Sequence, residues 1–512
     1  MRNCICLTCW LFSGSLCSSA FAATLYVTTG GNDANNGLTW PAAKRTVTGA
    51  LAGASAGDQI HVAMGTYPES ITLKAGVALY GGYAGVGDQR DYRNNPTVLD
   101  GRGTNVVVSC SGAGVGADTR LDGFVVQHGC NGIYLTACAP TIANNEIQNN
   151  TSTGEGAGIC CVNGANAIII GNIIHDNTAE DTYGDGAGIC CIMDHGHNPM
   201  GTPSNPQILG NTIYYNVANQ DGGGVCSKHG SCPLIAGNTI VNVPWSGIAV
   251  GWGWGLLDPS GYPGIPGATR SMWGTFSRPT PNRDCVIRGN RIDRFLQVLW
   301  DGGAIYTTGQ QGTSARDGLL IEGNVASGKG VIVRADGSLG ISGGNAFYTD
   351  GGSRYITLRG NVSFDDPVGT VYLGPPPKAN DPLPYPSLPS AGNLMPYGSD
   401  LGGCRTYGDI RFIGNTWLQD PFLKNVGLYN ALYKAALGFD AYSDQGFFDI
   451  GPYTDPEGVS HPTNLTYVGN RIMPGSASSL TQSLSRRLSA AGVHGRPATI
   501  PADRWISPAR EP

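Results

Sequence analysis

The chain has 512 residues, of which 78 are glycine and only 13% are charged, and its formal net charge at pH 7 is −6. This combination excludes a disordered chain, which needs charge to stay solvated. The charged residues form no concentrated basic segment, which excludes a nucleic-acid-binding surface.

The first 22 residues predict a secretory signal peptide. An apolar run over residues 4–16 precedes Ala20-Phe21-Ala22, a small-x-small cleavage site. A lipoprotein signal through Cys17 and an N-terminal membrane anchor are weaker interpretations, because the residue before the cysteine is large and the apolar run is short. No later segment has the ~20 apolar residues of a membrane span. We expect a secreted or periplasmic monomer with no integral membrane segment.

The next segment, residues 23–120, is expected to form an N-terminal cap and the first coils of a repeat. Tyr26-Val27 and residues 58–62 have the composition of short strands, and residues 46–51 predict a helix. Such a helix would cover the first open edge of a stack of strands, which would otherwise pair with other chains.

A short phrase, usually Gly-Asn before an apolar strand residue, then recurs along the chain. Its asparagines follow one another at intervals of 27 to 55 residues and are Asn145, Asn172, Asn211, Asn238, Asn290, Asn324, Asn361, Asn415 and Asn470. The shortest intervals fit one coil of a parallel β-helix, and the longer ones fit a coil with an inserted loop. Glycine enters the left-handed region at a corner, and the asparagine amides are expected to hydrogen-bond from coil to coil.

The repeat therefore predicts an all-β fold, a single-stranded right-handed parallel β-helix with inserted loops and short terminal helices. The main solenoid is expected over residues 121–475, with insertions at about 252–284 and 364–410. Residues 476–512 are expected to form a C-terminal helical tail.

A second phrase precedes a different set of strands. It occurs at residues 156–160, 186–190, 222–226, 246–250, 302–306 and 344–348. Cys160, Cys190 and Cys226 occupy equivalent positions in it, which favours a stack of small apolar side chains over a metal site. Two other cysteine pairs, Cys130 with Cys138 and Cys226 with Cys232, are close enough in sequence to close small disulfide loops after export.

Several segments resemble known families. Residues 26–37 (YVTTGGNDANNG) with residues 65–69 (GTYPE) resemble the start of exported bacterial pectin-lyase-like β-helix proteins. Residues 248–255 (IAVGWGWG), 301–307 (DGGAIYT) and 348–353 (YTDGGS) resemble β-helical glycoside hydrolases of the fucosidase/xylanase type. The resemblance implies a right-handed parallel β-helix that acts on carbohydrate.

A column of acids precedes the second phrase. Glu155, Asp185, Asp221 and Asp301 each stand immediately before its first glycine. In a β-helix they would lie at one corner of successive coils, about 5 Å apart in adjacent coils and about 10 Å apart across two. Carboxylates at such distances raise one another's pKa, as a general acid requires, and they also suit Ca²⁺. No other cofactor is expected. The alternative is that each acid only holds its own turn.

Asp301, with Asp350 or Asp221 as its partner, is the predicted catalytic pair. Asp350 follows its strand while Asp301 precedes the previous one, which is a difficulty for pairing them, and Glu322 is a further possible partner. The residues expected to bind substrate by stacking or hydrogen bonding are Trp252, Trp254, Trp273, Tyr306, Arg294 and Arg354.

Three functions follow, all with a polysaccharide or oligosaccharide as the partner. The leading one is glycoside hydrolysis by two carboxylates. The first alternative is a polysaccharide lyase, with Lys228 or His229 as the base and Arg294 or Arg354 neutralising a uronate. The second is a glycan-binding protein without activity.

A second cluster of polar residues is expected on neighbouring coils. Its members are His175, Asp194, His195, His197, Lys228 and His229.

Overall fold

The computed structural model describes a chain that is almost entirely β. The residues described are 22–103, 105–180, 184–193, 201–219, 222–252, 282–298, 302–309, 311–333, 339–341, 345–349, 353–364, 401–402, 408–418, 453–454, 460–461 and 465–473. The predicted signal peptide and C-terminal tail, and most of both predicted insertions, lie outside these residues.

Three long parallel sheets run the length of the described chain. Sheet A has thirteen strands in this part of the chain: Thr24–Val27, Gln59–Ala63, Ala78–Tyr83, Arg120–Asp122, Thr141–Ala143, Ile168–Ile170, Gln207–Leu209, Leu234–Ala236, Val286–Arg288, Leu319–Glu322, Arg354–Arg359, Gly408–Ile413 and Leu465–Val468. Sheet B has twelve among the described residues: Gly65–Tyr67, Thr97–Asp100, Val125–Gln127, Glu146–Gln148, Ile173–His175, Thr212–Tyr214, Thr239–Val241, Arg291–Asp293, Val325–Ser327, Val362–Phe364, Thr416–Leu418 and Arg471–Met473.

Sheet C forms the third side, with ten described strands. They are Ile71–Thr72, Val106–Ser111, Asn131–Thr136, Ile159–Val162, Ile189–Ile192, Val225–Lys228, Ile248–Trp252, Gly303–Thr307, Asn345–Thr349 and Leu401–Gly402. A short parallel sheet joins Thr151–Ser152, Thr178–Ala179 and Val217–Ala218. Two antiparallel pairs complete the described strands, Val331–Val333 with Leu339–Ile341 and Tyr453–Thr454 with Ser460–His461.

In each coil the chain passes from sheet A to sheet B to sheet C and returns to sheet A one rung further on. Strands that are neighbours in a sheet therefore come from successive coils, as in Ile142 paired with Ile169 and Ile208 with Ile235. The predicted right-handed parallel β-helix is confirmed.

The interior is a set of apolar columns along the solenoid axis. In the first twelve strands of sheet A, one inward residue of each strand pairs in register with that of the next and is buried, in the order Leu25, Ile60, Leu79, Leu121, Ile142, Ile169, Ile208, Ile235, Ile287, Ile321, Leu358 and Phe412. Because side chains alternate across a strand, the flanking residues face outward. The core therefore grows with each coil added.

The predicted asparagine ladder is present at the corner between sheets A and B. The Asn172 amide nitrogen donates to Asn211 Oδ1 at 3.0 Å, and Asn211 donates in the same way to Asn238 Oδ1 at 3.0 Å. Each side chain also donates to a strand carbonyl of the previous coil, as Asn238 does to Ile208 at 2.9 Å. The residue before each asparagine is left-handed, with φ of 56° at Gly210 and 54° at Asn144, which precedes Asn145. Both predictions about this phrase are confirmed.

The N-terminal end is covered by a short helix, α1 (Val47–Gly53), preceded by a 3₁₀ turn at Trp40–Ala42. Thr46 caps α1 by accepting a hydrogen bond from the Gly49 backbone. Val47, Ala50 and Leu51 are buried in the same core as the first strands. The predicted helix and strands of the cap are confirmed.

The geometry supports neither of the two disulfide pairs suggested by the sequence. Cys130 and Cys138 lie beyond opposite ends of strand Asn131–Thr136, which by itself separates them by about 20 Å. Cys226 belongs to the outward cysteine stack of sheet C, whereas Cys232 packs against the interior core. Cys232 Sγ instead accepts a hydrogen bond from the Arg283 backbone of the next coil.

None of the helices in the described part of the chain is long and apolar enough to cross a membrane.

Candidate functional site on the outer face of sheet C

The outer face of sheet C carries one continuous column of side chains. Successive strands pair in register, and the outward residues are, in order, Tyr134, Cys160, Cys190, Cys226, Ala249, Tyr306 and Tyr348. The residues beside them, such as Ile159 and Cys161, belong to the interior core. The registers confirm the predicted equivalence of the cysteines and of Tyr306 with Tyr348.

The segments before three of these strands lie over the cysteines. Gly186 has a φ of 58°, and a Cβ on it would stand 2.6 Å from the Ile189 carbonyl oxygen and 2.8 Å from Cys190 Cβ. Gly156 lies against Cys160 in the same way. Only a small outward side chain leaves room for this contact. The cysteines are therefore a buried stack of small apolar residues, as predicted.

Lys228 is the exception in this apolar surface. Its Nζ lies 3.2 Å from Glu155 Oε1, two coils away, and makes a still closer contact with Asp185 Oδ2 in the adjacent coil. Lys228 is 4% exposed, Glu155 8% and Asp185 0%. Two acids of the predicted column are thus brought together by one buried ammonium group.

The charges of this cluster are mutually dependent. Burial disfavours the ammonium form, but the carboxylates of Asp185 and Glu155 outweigh it and raise the pKa of Lys228 well above its usual value. Burial likewise raises the pKa of the neighbouring Cys190 thiol to about 12.

The strand registers support the alignment of the acid column. Glu155 and Asp185 each precede by four residues a pair of strand partners, Ile159 and Ile189. Asp221 and Asp301 have the same offset from Val225 and Ile305 in the sequence. Asp221, Asp301 and Asp350 lie outside the described residues, so their catalytic roles remain predictions.

The other end of the face is aromatic. Tyr306 packs against Trp245 and Tyr348, each with a centroid separation of 5.5 Å and tilted or edge-on rings. Both tyrosines are buried. The backbone of Trp252 pairs with Lys228 across a bulge. The Trp252 side chain, Trp254 and Trp273 lie outside the described part of the chain.

The two arginines predicted to bind substrate lie outside sheet C, at the corners where the chain enters and leaves that sheet. Arg354 begins a sheet A strand and is held by Asp409, with contacts of 2.6 and 2.7 Å, and by the ring of Tyr355. Arg294 follows a sheet B strand and lies 3.5 Å from Asp293. Glu322 is not a partner for an acid on sheet C, because it faces outward on sheet A between Arg288 and Arg359.

The predicted second polar cluster is not one site. His175 lies on sheet B, where it stacks on Tyr214 and bonds to Glu146 and Asp176, whereas Lys228 lies on sheet C. Asp194, His195 and His197 lie outside the described part. Within that part, no three acidic, histidine or cysteine side chains are arranged to hold a metal. At Glu155 and Asp185 the positive charge that Ca²⁺ would supply comes from Lys228.

The partners of Lys228 were not foreseen from the sequence, although a signal existed. Val162 and Ile192 are paired in register and belong to the outward apolar cluster, and Lys228 occupies the next position of the same column. A single lysine in an otherwise apolar column must find a counter-charge. The acids one and two coils away were the available ones.

Part of the chain matches a family of unknown function, and the fold is distantly similar to several solved structures. Residues 29–251 match the family described as "Protein of unknown function (DUF1565)". No curated protein matches the sequence.

Among solved structures, a "Glycoside hydrolase" is 12% identical, with a TM-score of 0.43, covering 67% of this chain and 95% of its own. A "pectate lyase Pel9A" is 17% identical, with a TM-score of 0.33, covering 73% and 84%. A "Rhamnogalacturonan lyase" is 12% identical, with a TM-score of 0.33, covering 68% and 83%. These values are too low to carry an activity or a substrate over to this chain.

Proposed function

We propose that the protein is an exported glycoside hydrolase whose site lies on the outer face of sheet C. The observation that carries the proposal is the buried Glu155–Lys228–Asp185 cluster, which continues in sequence register to Asp221 and Asp301. Charged groups buried on the outside of a solenoid are costly, so their presence at one corner favours a functional role. Trp245, which is partly exposed on the same face, suits the flat C–H faces of sugar rings.

The two acids nearest the cluster would have different roles. We expect Asp221, the next acid of the column, to act as the general acid, because a neighbouring carboxylate such as that of Asp185 disfavours its ionisation. Asp301, further from that carboxylate, would ionise and activate a water as the general base.

The spacing of the coils suggests the stereochemical outcome. The strands that follow Asp221 and Asp301 are separated by two steps of sheet C. Two steps correspond to about 10 Å, close to the ~6.5–9.5 Å of inverting enzymes and well beyond the ~5 Å of retaining ones. We therefore expect inversion at the anomeric carbon.

The same cluster argues against Lys228 as the base of a lyase. A lysine base needs a lowered pKa, and the carboxylates of Asp185 and Glu155 raise the pKa of Lys228 instead. Arg354, a proposed partner for a uronate carboxylate, already binds Asp409.

The test is a glycan panel on which both reducing ends and ultraviolet-absorbing unsaturated products are measured, with the product anomer followed by NMR. We expect reducing ends without unsaturation, and a loss of kcat of about 10²-fold or more in Asp221→Asn and Asp301→Asn. Asp350→Asn tests the rival partner. Glu146→Gln is the matched control, because Glu146 is 44% exposed on sheet B and should leave turnover unchanged. An unsaturated product, binding without turnover, or an active Asp301→Asn variant would contradict the proposal.

Export is tested separately. We propose cleavage after Ala22, so the secreted chain should begin at Ala23, as N-terminal sequencing would establish. An uncleaved chain retained in the cytoplasm would contradict it.

A further inference from the structure

Two cysteine pairs at one corner of the solenoid join successive coils. This corner is where the chain leaves sheet C and returns to sheet A. Cys110 ends a sheet C strand, and Cys138 lies in the following coil just after strand Asn131–Thr136. Cys232 follows strand Val225–Lys228, and Cys285 precedes strand Val286–Arg288 of the next coil. Each pair therefore spans a single step of the stack.

In each pair the thiol of one cysteine lies against the main chain beside the other. The Cys138 thiol donates to the Cys110 carbonyl oxygen at 3.3 Å. The Cys285 thiol approaches the carbonyl oxygen of Ser231, the residue before Cys232, at 3.7 Å. Cys232 Sγ in turn accepts from the Arg283 backbone at 2.6 Å. Main-chain contacts on both sides hold the sulfurs in place.

We propose that Cys110–Cys138 and Cys232–Cys285 are oxidised to two disulfides that link neighbouring coils in the exported protein. Each bond forms by thiol–disulfide exchange with an exogenous disulfide, such as that of an oxidoreductase or oxidised glutathione. One thiolate attacks the exogenous disulfide and expels a thiolate, giving a mixed disulfide. The second cysteine, as a thiolate, then attacks the protein sulfur of the mixed disulfide, which forms the protein disulfide and expels the other half of the oxidant as a thiolate. The two cysteine protons pass to solvent or to the two expelled thiolates.

The environment of each pair identifies the first nucleophile. The neighbouring Cys110 thiol lowers the pKa of Cys138, and the same interaction raises the pKa of Cys110. Cys138 therefore attacks and Cys110 resolves. In the second pair Cys232 is half-buried and Cys285 is buried, so Cys232 meets the oxidant first.

The stacked cysteines of sheet C should remain thiols. Cys160, Cys161, Cys190 and Cys191 are completely buried, and burial raises the pKa of Cys190 to about 12. A thiol that stays protonated reacts slowly with an external disulfide, whereas each proposed pair contains one more reactive cysteine, Cys138 with its lowered pKa or the half-buried Cys232.

The experiment is a thiol count and peptide map on full-length protein exported to a bacterial periplasm. The chain has 15 cysteines, four of which precede Ala23, so eleven remain after cleavage. Denaturation without reductant should expose seven thiols reactive with a chromogenic disulfide, and all eleven after reduction. Digestion with trypsin and a Glu-specific protease should yield two linked species, Cys110–Cys138 and Cys232–Cys285, by mass spectrometry.

Variants assign each bond. Cys138→Ser should remove only the first linked species and Cys285→Ser only the second, while Cys130→Ser should keep both. Eleven reactive thiols after export and treatment with oxidised glutathione would overturn the proposal, as would a Cys130–Cys138 link. The map of the unmodified protein decides the question even if a variant fails to fold. The outcome is independent of the glycan assays, because no step of the proposed hydrolysis uses these cysteines.

Discussion

The solenoid buries polar side chains in two contrasting ways. At the corner between sheets A and B, a neutral asparagine recurs in coil after coil, and each amide donates both to the next asparagine and to a strand carbonyl. On the outer face of sheet C, a single lysine interrupts an apolar column and is neutralised by two acids from other coils. The first arrangement is periodic and uncharged, and the second is charged and joins three coils through one side chain.

The difference separates what a repeat needs from what a site needs. A buried amide in a ladder satisfies its neighbours as well as itself, so repetition of asparagine stabilises the coil geometry. A buried ion triad gains little over well-packed apolar residues. Val162 and Ile192, which occupy the same column as Lys228, show that apolar residues fit there. This contrast is the ground on which we propose a function for the charged cluster.

The largest effect is expected from Lys228→Met. The substitution leaves Glu155 and Asp185 buried without their counter-charge, which costs about 3–5 kcal/mol of unfolding free energy. Chemical denaturation followed by circular dichroism would measure it.

The control for Lys228→Met is the triple variant that also carries Glu155→Gln and Asp185→Asn. It contains no buried charge at this site and should recover most of the lost stability, because replacing a whole ion cluster by neutral groups is often close to neutral. Equal stability of the wild type and Lys228→Met would mean that the cluster is solvated, and the contrast with the asparagine ladder would fail.

Gly186→Ala tests the packing that buries the cluster. Gly186 and Gly210 have nearly equal φ, 58° and 56°, but a Cβ added to Gly186 would meet atoms within 3 Å, while one added to Gly210 would meet none within 4 Å. Gly210→Ala should cost about 1–2 kcal/mol for the left-handed backbone alone. Gly186→Ala should cost about 1–3 kcal/mol more, because the chain overlying Cys190 must move. Equal losses in thermal unfolding would show that the overlying segment is not tightly packed.

Asn290→Ala tests the ladder itself. Asn290 is fully buried, donates to Ile235 and Asn324 oxygens at 2.9 Å, and accepts from both nitrogens of Asn238. The substitution leaves the buried Ile235 carbonyl and Asn238 amide groups without these partners, which should lower the free energy of unfolding by about 1–3 kcal/mol. The control is Asn36→Ala, which removes an exposed turn contact and should change stability by less than about 0.5 kcal/mol. If Asn290→Ala lowers the free energy of unfolding no more than Asn36→Ala does, the asparagine ladder does not stabilise the fold.

The contrast also explains how far the sequence could be interpreted. The asparagine repeat predicted the solenoid, its ladder and its corners, because each coil repeats the same local constraints. The acid column was predicted for the same reason. The ion pairs of Lys228 were missed because they join three coils through one non-repeating side chain. The geometry does not support the predicted disulfide pairs, because cysteines that are close in sequence, such as Cys130 and Cys138, are held apart by the extended strand between them.

The smallest effect concerns His175, a charged group on sheet B whose partners are partly exposed. Burial disfavours its imidazolium, but the hydrogen bonds and charges of Asp176 and Glu146 outweigh burial and raise the pKa of His175 above 6.5. Its contribution to stability is therefore fully present below pH 6.5 and is lost as pH rises through the folded pKa. The wild type should have a higher free energy of unfolding than His175→Gln at about pH 5.5. This difference should shrink by less than about 1 kcal/mol as the pH rises to about 8.5.

His61 on sheet A is the matched control for this pH dependence, since it has the opposite shift. Burial against Tyr83 lowers the pKa of His61, with Asp88 opposing and Arg90 reinforcing that effect. The neutral ring is the form that the fold favours, so its contribution is present above pH 6.5 and is lost as pH falls. Thermal unfolding of wild type, His175→Gln and His61→Gln over the same pH range should give differences of opposite slope. Parallel slopes would mean that the carboxylates of Glu146 and Asp176 do not hold His175 in its charged form.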